Sequence, residues 1–184
     1  MDQPPAAQHV TAEQFRLGMR RLAGAVNIVT AEHARHRFGL TATAVCSATA
    51  EPPTALICIN RSAATHAAIV RSGAFCINVL RTEDAELANA FSGTQSGEAR
   101  FKAGEWLRLA SGAPALASAL ASFDCRVAKS LDHGTHTVFL GEVGSIVIGR
   151  KGKPLLYAGR QYARLTSLAH GEPLPEGFDH WVDV

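Results

Sequence analysis

The side chains best suited to chemistry lie between Gly39 and His66. Thr41, Thr43 and Ser47 alternate with apolar neighbours along a strand-like run. Such a strand presents small hydroxyl groups to a flat polar ring without steric bulk. Downstream, Asn60, Arg61, Ser62 and Thr65 gather a cation and several hydrogen-bonding groups where a helix is predicted to start. The first amides of a helix have no internal partner and favour negative charge. With Arg61 beside them they would make an anion cradle. Ser62 or Thr65 acting only as a helix cap would account for either residue equally well. A flat ring plus a phosphate suggests a flavin nucleotide.

A second constellation runs from Asp132 to Val143. His136 follows a predicted turn at Asp132 to Gly134 and opens a strand, from which it can project at a barrel rim. Strand alternation puts His136, Val138 and Leu140 on one face and Thr137, Phe139 and Gly141 on the other. A histidine beside a hairpin also occurs with no role at all. His33 and His36, like His133 and His136, are three apart with no third ligand nearby, so no metal site is expected. His170 and His180 receive no role either. Cys46, Cys58, Cys76 and Cys125 sit in apolar, strand-like runs without a close pair, and are predicted to be reduced, buried thiols. Cys46 and Cys58 lie on the strands singled out above, which leaves a thiol near the ligand open.

Other chemistries lack their signatures. No glycine-rich dinucleotide fingerprint joins a strand to a helix, and Gly149 to Pro154 has the wrong spacing for a phosphate-binding P-loop. The nucleophile elbow of hydrolases is absent, and no paired carboxylates stand out.

The elements that must position these residues can be read from the pattern. Thr11 is a plausible N-cap, with Gln14 placed to close a capping box, for a short amphipathic helix ending near Gly24. Strands are predicted at Ala25 to Ala31, Gly39 to Ala48, Thr54 to Ile59 and Ala74 to Leu80, with a turn or edge at Pro52 and Pro53. Helices are predicted at Ala64 to Ser72, ending before Gly73, and at Glu83 to Phe91. Ser92 to Lys102 reads as a mobile loop and Gly104 to Leu109 as a short strand. Leu120 to Leu131 and Thr135 to Ile148 read as two long antiparallel strands, and Leu155 to Tyr157 as a last short one. Many short-spaced strands, few helices and no regular alternation of the two argue for an antiparallel β-barrel with appended helices. Residues 1–10 read as a flexible arm, 11–165 as one domain and 166–184 as a tail.

The bulk properties agree with one globular domain. The chain has 184 residues, 47% of them apolar and 18% charged, with a net charge of +2. Interspersed charge without a basic stripe argues against nucleic acid as a partner. No apolar run is long enough to span a bilayer, and Met1 to Gln8 lacks the pattern of a signal peptide, so a cytoplasmic location is expected.

Taken in order, these pieces resemble the short-chain flavin reductase family, the reductase components of two-component flavin-dependent monooxygenases such as that for hydroxyphenylacetate. The resemblance runs from about Phe15 to Leu165. It rests on Phe15 to Thr30, Gly39 to Ala48 with the Glu51 to Pro53 turn, Asn60 to His66, Phe75 to Leu80, Gly134 to Val143 and Pro154 to Arg160. It implies a split-barrel flavin-binding fold, mainly β with Greek-key antiparallel strands, working as a homodimer. It implies that Gly39, Leu40, Thr41, Ala42, Thr43 and Ala44 lie along the isoalloxazine ring, with Ser47 near the ring or ribityl chain. Cys58, Ile59 and Asn60 would line the ribityl side. Ala64 and Thr65 would meet the phosphate, with Arg61 adjoining, and Ala90 and Phe91 would also touch flavin. His136, Tyr157 and Arg160 match segments near the nicotinamide nucleotide. One departure stands out: Thr135 replaces the aspartate that precedes this histidine in the family, and Asp132 is available to substitute. The implied activity is hydride transfer from NADH or NADPH to FMN or FAD, directly between cofactors and without a catalytic residue, with reduced flavin passed to a separate oxygenase component. A flavin-binding electron carrier, a reductase of a non-flavin acceptor and a sensor domain are the rival readings on the same barrel.

Overall fold

The structure, a computed structural model, describes residues 10–93 and 97–166. The predicted arm and tail, apart from Val10 and Thr166, and His170 and His180 lie outside the described residues.

Two strands explain the centre of the molecule. β2 (Asn27–His33) and β6 (Ala74–Val79) are buried on both faces along most of their length, which is why they read as unbroken apolar runs rather than alternating ones. They belong to a seven-stranded antiparallel sheet with β3 (His36–Ala42), β4 (Val45–Ala50), β5 (Pro53–Asn60), β9 (Ala121–His133) and β10 (His136–Ile148), in the order β3-β2-β6-β9-β10-β5-β4. The edge strands β3 and β4 are consecutive in the chain. Leu40 and Ala42 of one and Val45 of the other pack on the same cluster, built around Val29, Ile57, Phe75 and Phe139. The sheet therefore rolls up until its edges approach, giving a split barrel. Helix α2 (Ala64–Ser72) adds Ala68 and Ile69 to that interior. Burying each large side chain there contributes roughly 1.5–3 kcal/mol.

A second layer covers the outer face of β2. Ile28 turns away from the barrel toward Leu80, Ala88, Phe91, Phe101 and Leu155. Helix α3 (Ala85–Ser92) supplies Ala88 and Phe91 to this layer. β7 (Trp106–Arg108) and β8 (Pro114–Leu116) pair beside it. β1 (Gly24–Ala25), β11 (Leu155–Ala158) and β12 (Gln161–Arg164) form a small separate sheet. Helix α1 (Ala12–Met19) carries the predicted capping box between Thr11 and Gln14, and buries none of its residues.

Several expectations change. The run from Gly39 to Ala48 is two strands, because the Val45 amide turns back onto the Thr43 carbonyl and Cys58 donates to Ala44 O. The first helix stops at Met19. Residues 25–31 divide at Val26, whose amide and carbonyl bond to Leu155 and Leu80 rather than to a strand of the large sheet. The expected mobile loop contains an ordered 3-10 segment, Gly97–Lys102, anchored by buried Phe101. Cys76 and Cys125 are buried, but Cys46 is exposed, since it sits on an edge strand with its neighbour Val45 taking the inward position. Burial pushes the Cys125 thiol up to about 12 and the Cys76 thiol higher still.

Candidate functional site

The outer edge of β3 organises a groove. On one strand residue the N–H and C=O point the same way, and the direction alternates along the chain. The Arg37 amide donates to Glu98 Oε1 at 2.9 Å, and the Gly39 carbonyl accepts from Arg100 Nη1 at 2.8 Å. Both point away from β2, so the backbone groups of Thr41 point that way too. The groove therefore offers amides at the very strand expected to meet a ring. The Thr41 hydroxyl is less available than expected: it donates to Ala88 O at 2.7 Å, so it retains only acceptor capacity.

At one end of this edge, Gly39 and Leu40 share a recess of about 240 Å3 with Ala64, Thr65, Phe91 and Arg100. Gly39 is required here, because a Cβ would come within 2.6 Å of Phe91 Cε1. Helix α2 opens onto the same recess. Its N-cap is Ala63, which has no side chain to cap with. The capping alternative is overturned: Ser62 donates from N–H and Oγ to Asn60 Oδ1, at 2.9 and 2.8 Å, and Thr65 lies within the first turn. The helix thus presents its first amides beside cationic Arg100, a donor set that fits a phosphate. Arg37 lines this recess as well, paired with Glu98 and lying 4.7 Å over the Phe101 ring. That hydrogen bond holds the Glu98 carboxyl below its usual range.

Farther along, Thr41, Ala42 and Thr43 face a cleft of about 430 Å3 with Asn89, Tyr157 and Arg160 on its other walls. Ser92 lines both spaces. The tip of the β11–β12 hairpin places Gly159 and Arg160 at φ 56° and 70°, the left-handed pair that a two-residue hairpin demands. Its Gly159 amide is tied to Arg20 O. Tyr162 donates its hydroxyl to Asn89 Oδ1 at 3.0 Å, joining β12 to α3, and partial burial raises its phenol so that it stays a donor. Beyond Thr43 and Ala44 the groove continues below α1, past Met19 and Leu22.

The other expected residues lie elsewhere. The Ile59 side chain is in the barrel core, leaving only its backbone for a ligand. Asn60 uses its side-chain oxygen in the turn. Arg61 is absent from the lining of the phosphate-sized recess and sits 3.6 Å from Asp132 Oδ2 instead. Ala90 packs into the outer layer, while Asn89 and Ser92, three apart on α3, face the groove. Ser47 lines a separate apolar recess with Val45, Phe123 and Ile146. His136 pairs with Asn60 across β10 and β5, beside Val138 and Cys58, and its Nδ1 is 2.8 Å from the Thr135 hydroxyl. It does not line the cleft that holds Tyr157 and Arg160. Sequence reasoning missed Asn89, Ser92, Arg100 and Tyr162. The first two share one helix face and were legible as such; Arg100 and Tyr162 reach the groove through tertiary contacts with no local signal.

Among known proteins, residues 19–166 match the flavin reductase like domain. An FMN reductase (NADH) RutF of Variovorax paradoxus is 43% identical over 156 residues, spanning 85% of this chain and 87% of that one. The NADH:FAD oxidoreductase SgcE6 of Streptomyces globisporus superposes with a TM-score of 0.80 at 28% identity, covering 89% of this chain and 100% of that chain. BorF, the flavin reductase component of a bacterial two-component tryptophan halogenase, gives 0.78 at 25%, covering 86% and 100%.

Proposed function

The chain belongs to the flavin reductase like domain family, and from that premise we propose how its groove divides the work. The protein is an NAD(P)H-dependent flavin reductase using FMN or FAD. The phosphate of the flavin sits against the Ala64 and Thr65 amides with Arg100 beside them. The β3 edge from Gly39 to Ala44 carries the ring, with Thr41 N–H as donor and Thr41 Oγ as acceptor. Cys58 and the Ile59 backbone stand behind the turn at Ala44. Tyr157 and Arg160 receive the nicotinamide nucleotide, and His136 contributes from the rim beside Asn60.

The bound flavin supplies a hydride acceptor. The chain's own residues orient and exclude water. Amides along β3 favour the negative charge that develops on reduction. No side chain forms a covalent bond to either partner. Reduced flavin leaves for a separate oxygenase or halogenase component.

The protein acts as a cytoplasmic homodimer. Helix α1 supports the dimer, because Phe15, Leu17 and Met19 stand 61%, 51% and 48% exposed on a helix with no buried residue. So short a helix needs a packed face to persist.

The observation that carries the reading is the junction of two recesses along one strand edge, an anion-fitting one at α2 and an open one at the β11–β12 tip. Purified protein with NADH or NADPH against FMN, FAD and riboflavin tests it. Nicotinamide oxidation that requires added flavin is expected. Flavin binding with no nicotinamide oxidation would make the protein an electron carrier. Light scattering should give twice the chain mass.

A further inference from the structure

His66, Thr137 and Asp132 form a chain of side chains that the reading above leaves unused. His66 Nε2 lies 2.8 Å from Thr137 Oγ1, and the Thr137 hydroxyl donates to Asp132 Oδ1 at 2.6 Å. Asp132 Oδ2 is 3.6 Å from Arg61 Nη2. Thr137 has one hydroxyl proton and gives it to the carboxylate, so His66 Nε2 must be the donor in the first link. The His66 ring also rests on Phe139, with centroids 5.4 Å apart. His66 is the third residue of α2, so both contacts fix the first turn of that helix against β10.

The other end of the chain is fixed as well. The Arg61 amide donates to Thr135 O at 2.9 Å, and Asn60 pairs with His136. Thr137 itself is 2% exposed. A hydroxyl buried there is unfavourable unless bonded, and valine would fill the same space without that requirement. Packing alone does not call for threonine.

We propose that Thr137 is a positioning residue: through His66 and Asp132 it holds the opening turn of α2 and the rim bearing His136 in one fixed relation. The inference rests on the reading that flavin phosphate meets that turn and that the nicotinamide nucleotide meets His136. Thr137 touches neither; it acts through the helix start and the rim. Both ligands therefore depend on the same hydroxyl.

The test uses the full chain with Thr137→Val, Thr137→Ser and Asp132→Ala. FMN dissociation constant, NADH KM, kcat and melting temperature are measured for each. Thr137→Val should raise the FMN constant and the NADH KM together, by about fivefold, with kcat little changed. Thr137→Ser, which restores the hydroxyl, should return both constants to the original values. Asp132→Ala removes the oxygen that accepts from Thr137 and should move both in the same direction as Thr137→Val, and because Asp132 is exposed it carries the test if the valine variant does not fold. A Thr137→Val protein with unchanged constants, whatever its melting temperature, overturns the proposal. A shift in only one of the two constants overturns it too. If the unsubstituted protein binds no FMN and oxidises no NADH, the underlying reading has failed before any variant is made.

Discussion

The two ends of the β3 groove are built differently. At the α2 end the wall groups are already engaged: Arg37 holds Glu98, Arg100 donates to the Gly39 and Gly93 carbonyls, and Phe91 lies where a Gly39 side chain would be. At the hairpin end Tyr162 is held by one hydrogen bond, Tyr157 is 40% exposed, and Arg160 extends from a two-residue turn. A wall fixed by several long-range contacts loses little freedom when an anion arrives. A wall of singly anchored side chains can open and close around a molecule that must enter and leave at each turnover. The contrast supports the proposed placement of the flavin phosphate at the pre-formed end and of the nicotinamide nucleotide at the adjustable one.

Gly39→Ala should break the pre-formed end hardest. Its Cβ would meet Phe91 at 2.6 and 2.9 Å, and Phe91 cannot retreat because Phe101 and Trp106 lie 5.1 and 5.4 Å from it, centroid to centroid. Overpacking of this kind costs about 1–3 kcal/mol, visible as a lower denaturant midpoint, and FMN affinity should fall with it. Tyr162→Phe at the other end forfeits one hydrogen bond, worth about 1 kcal/mol. It should raise the NADH KM and leave the FMN dissociation constant alone. If Gly39→Ala is as stable as the original protein, the α2 end is not pinned and the contrast fails.

The same contrast separates what the sequence made legible from what it did not. α2 runs from Ala64 to Ser72 as expected, because Gly73 at φ 66° closes it by a local rule. Alternation along β10 separates His136, Val138 and Leu140 from Thr137, Phe139 and Gly141, and the structure buries the second set more deeply than the first. The corner at Thr43 and Ala44 was not legible, since a bond from distant Cys58 holds it. Nor were the ties that build the α2 end: Arg37 to Glu98 and Arg100 to Gly39 each span 61 positions, and no spacing rule reaches so far. Arg61 has the right chemistry for an anion cradle, but Asp132, 71 positions on by sequence number, comes within 3.6 Å of it once β9 and β10 pair. Local rules found the elements, and tertiary partners decided which side chains remained for a ligand.

Arg160→Gly sharpens the adjustable end. Glycine relieves the left-handed backbone at φ 70°, a gain of about 1 kcal/mol. It also frees the unfolded chain, which offsets about as much. Melting should therefore hardly move, while the NADH KM rises several-fold and FMN affinity stays put. A large stability change would show that Arg160 is structural rather than a ligand contact.

Glu98→Gln should have the smallest effect, and its pH dependence is its signature. The carboxyl is held below its ordinary value by the Arg37 hydrogen bond. A group lowered in the folded state stabilises the fold above its unfolded value, about 4.3, and loses that contribution as pH falls through the lower folded value. The pair is partly exposed, at 35% and 46%, so screening limits it to about 0.5 kcal/mol. Glutamine keeps an oxygen for the Arg37 amide but sets an NH2 where Oε2 accepts from Arg37 Nε and Nη2, so those bonds go with the charge. Melting curves of the two proteins should differ slightly near neutral pH, converge as acid takes the pH below the lowered value of the Glu98 carboxyl, and converge also in about 1 M salt. A difference that persists in acid would mean that Glu98 anchors β3 by shape, and that the α2 end owes its rigidity to packing on Phe91 and Phe101 instead of to the ion pair.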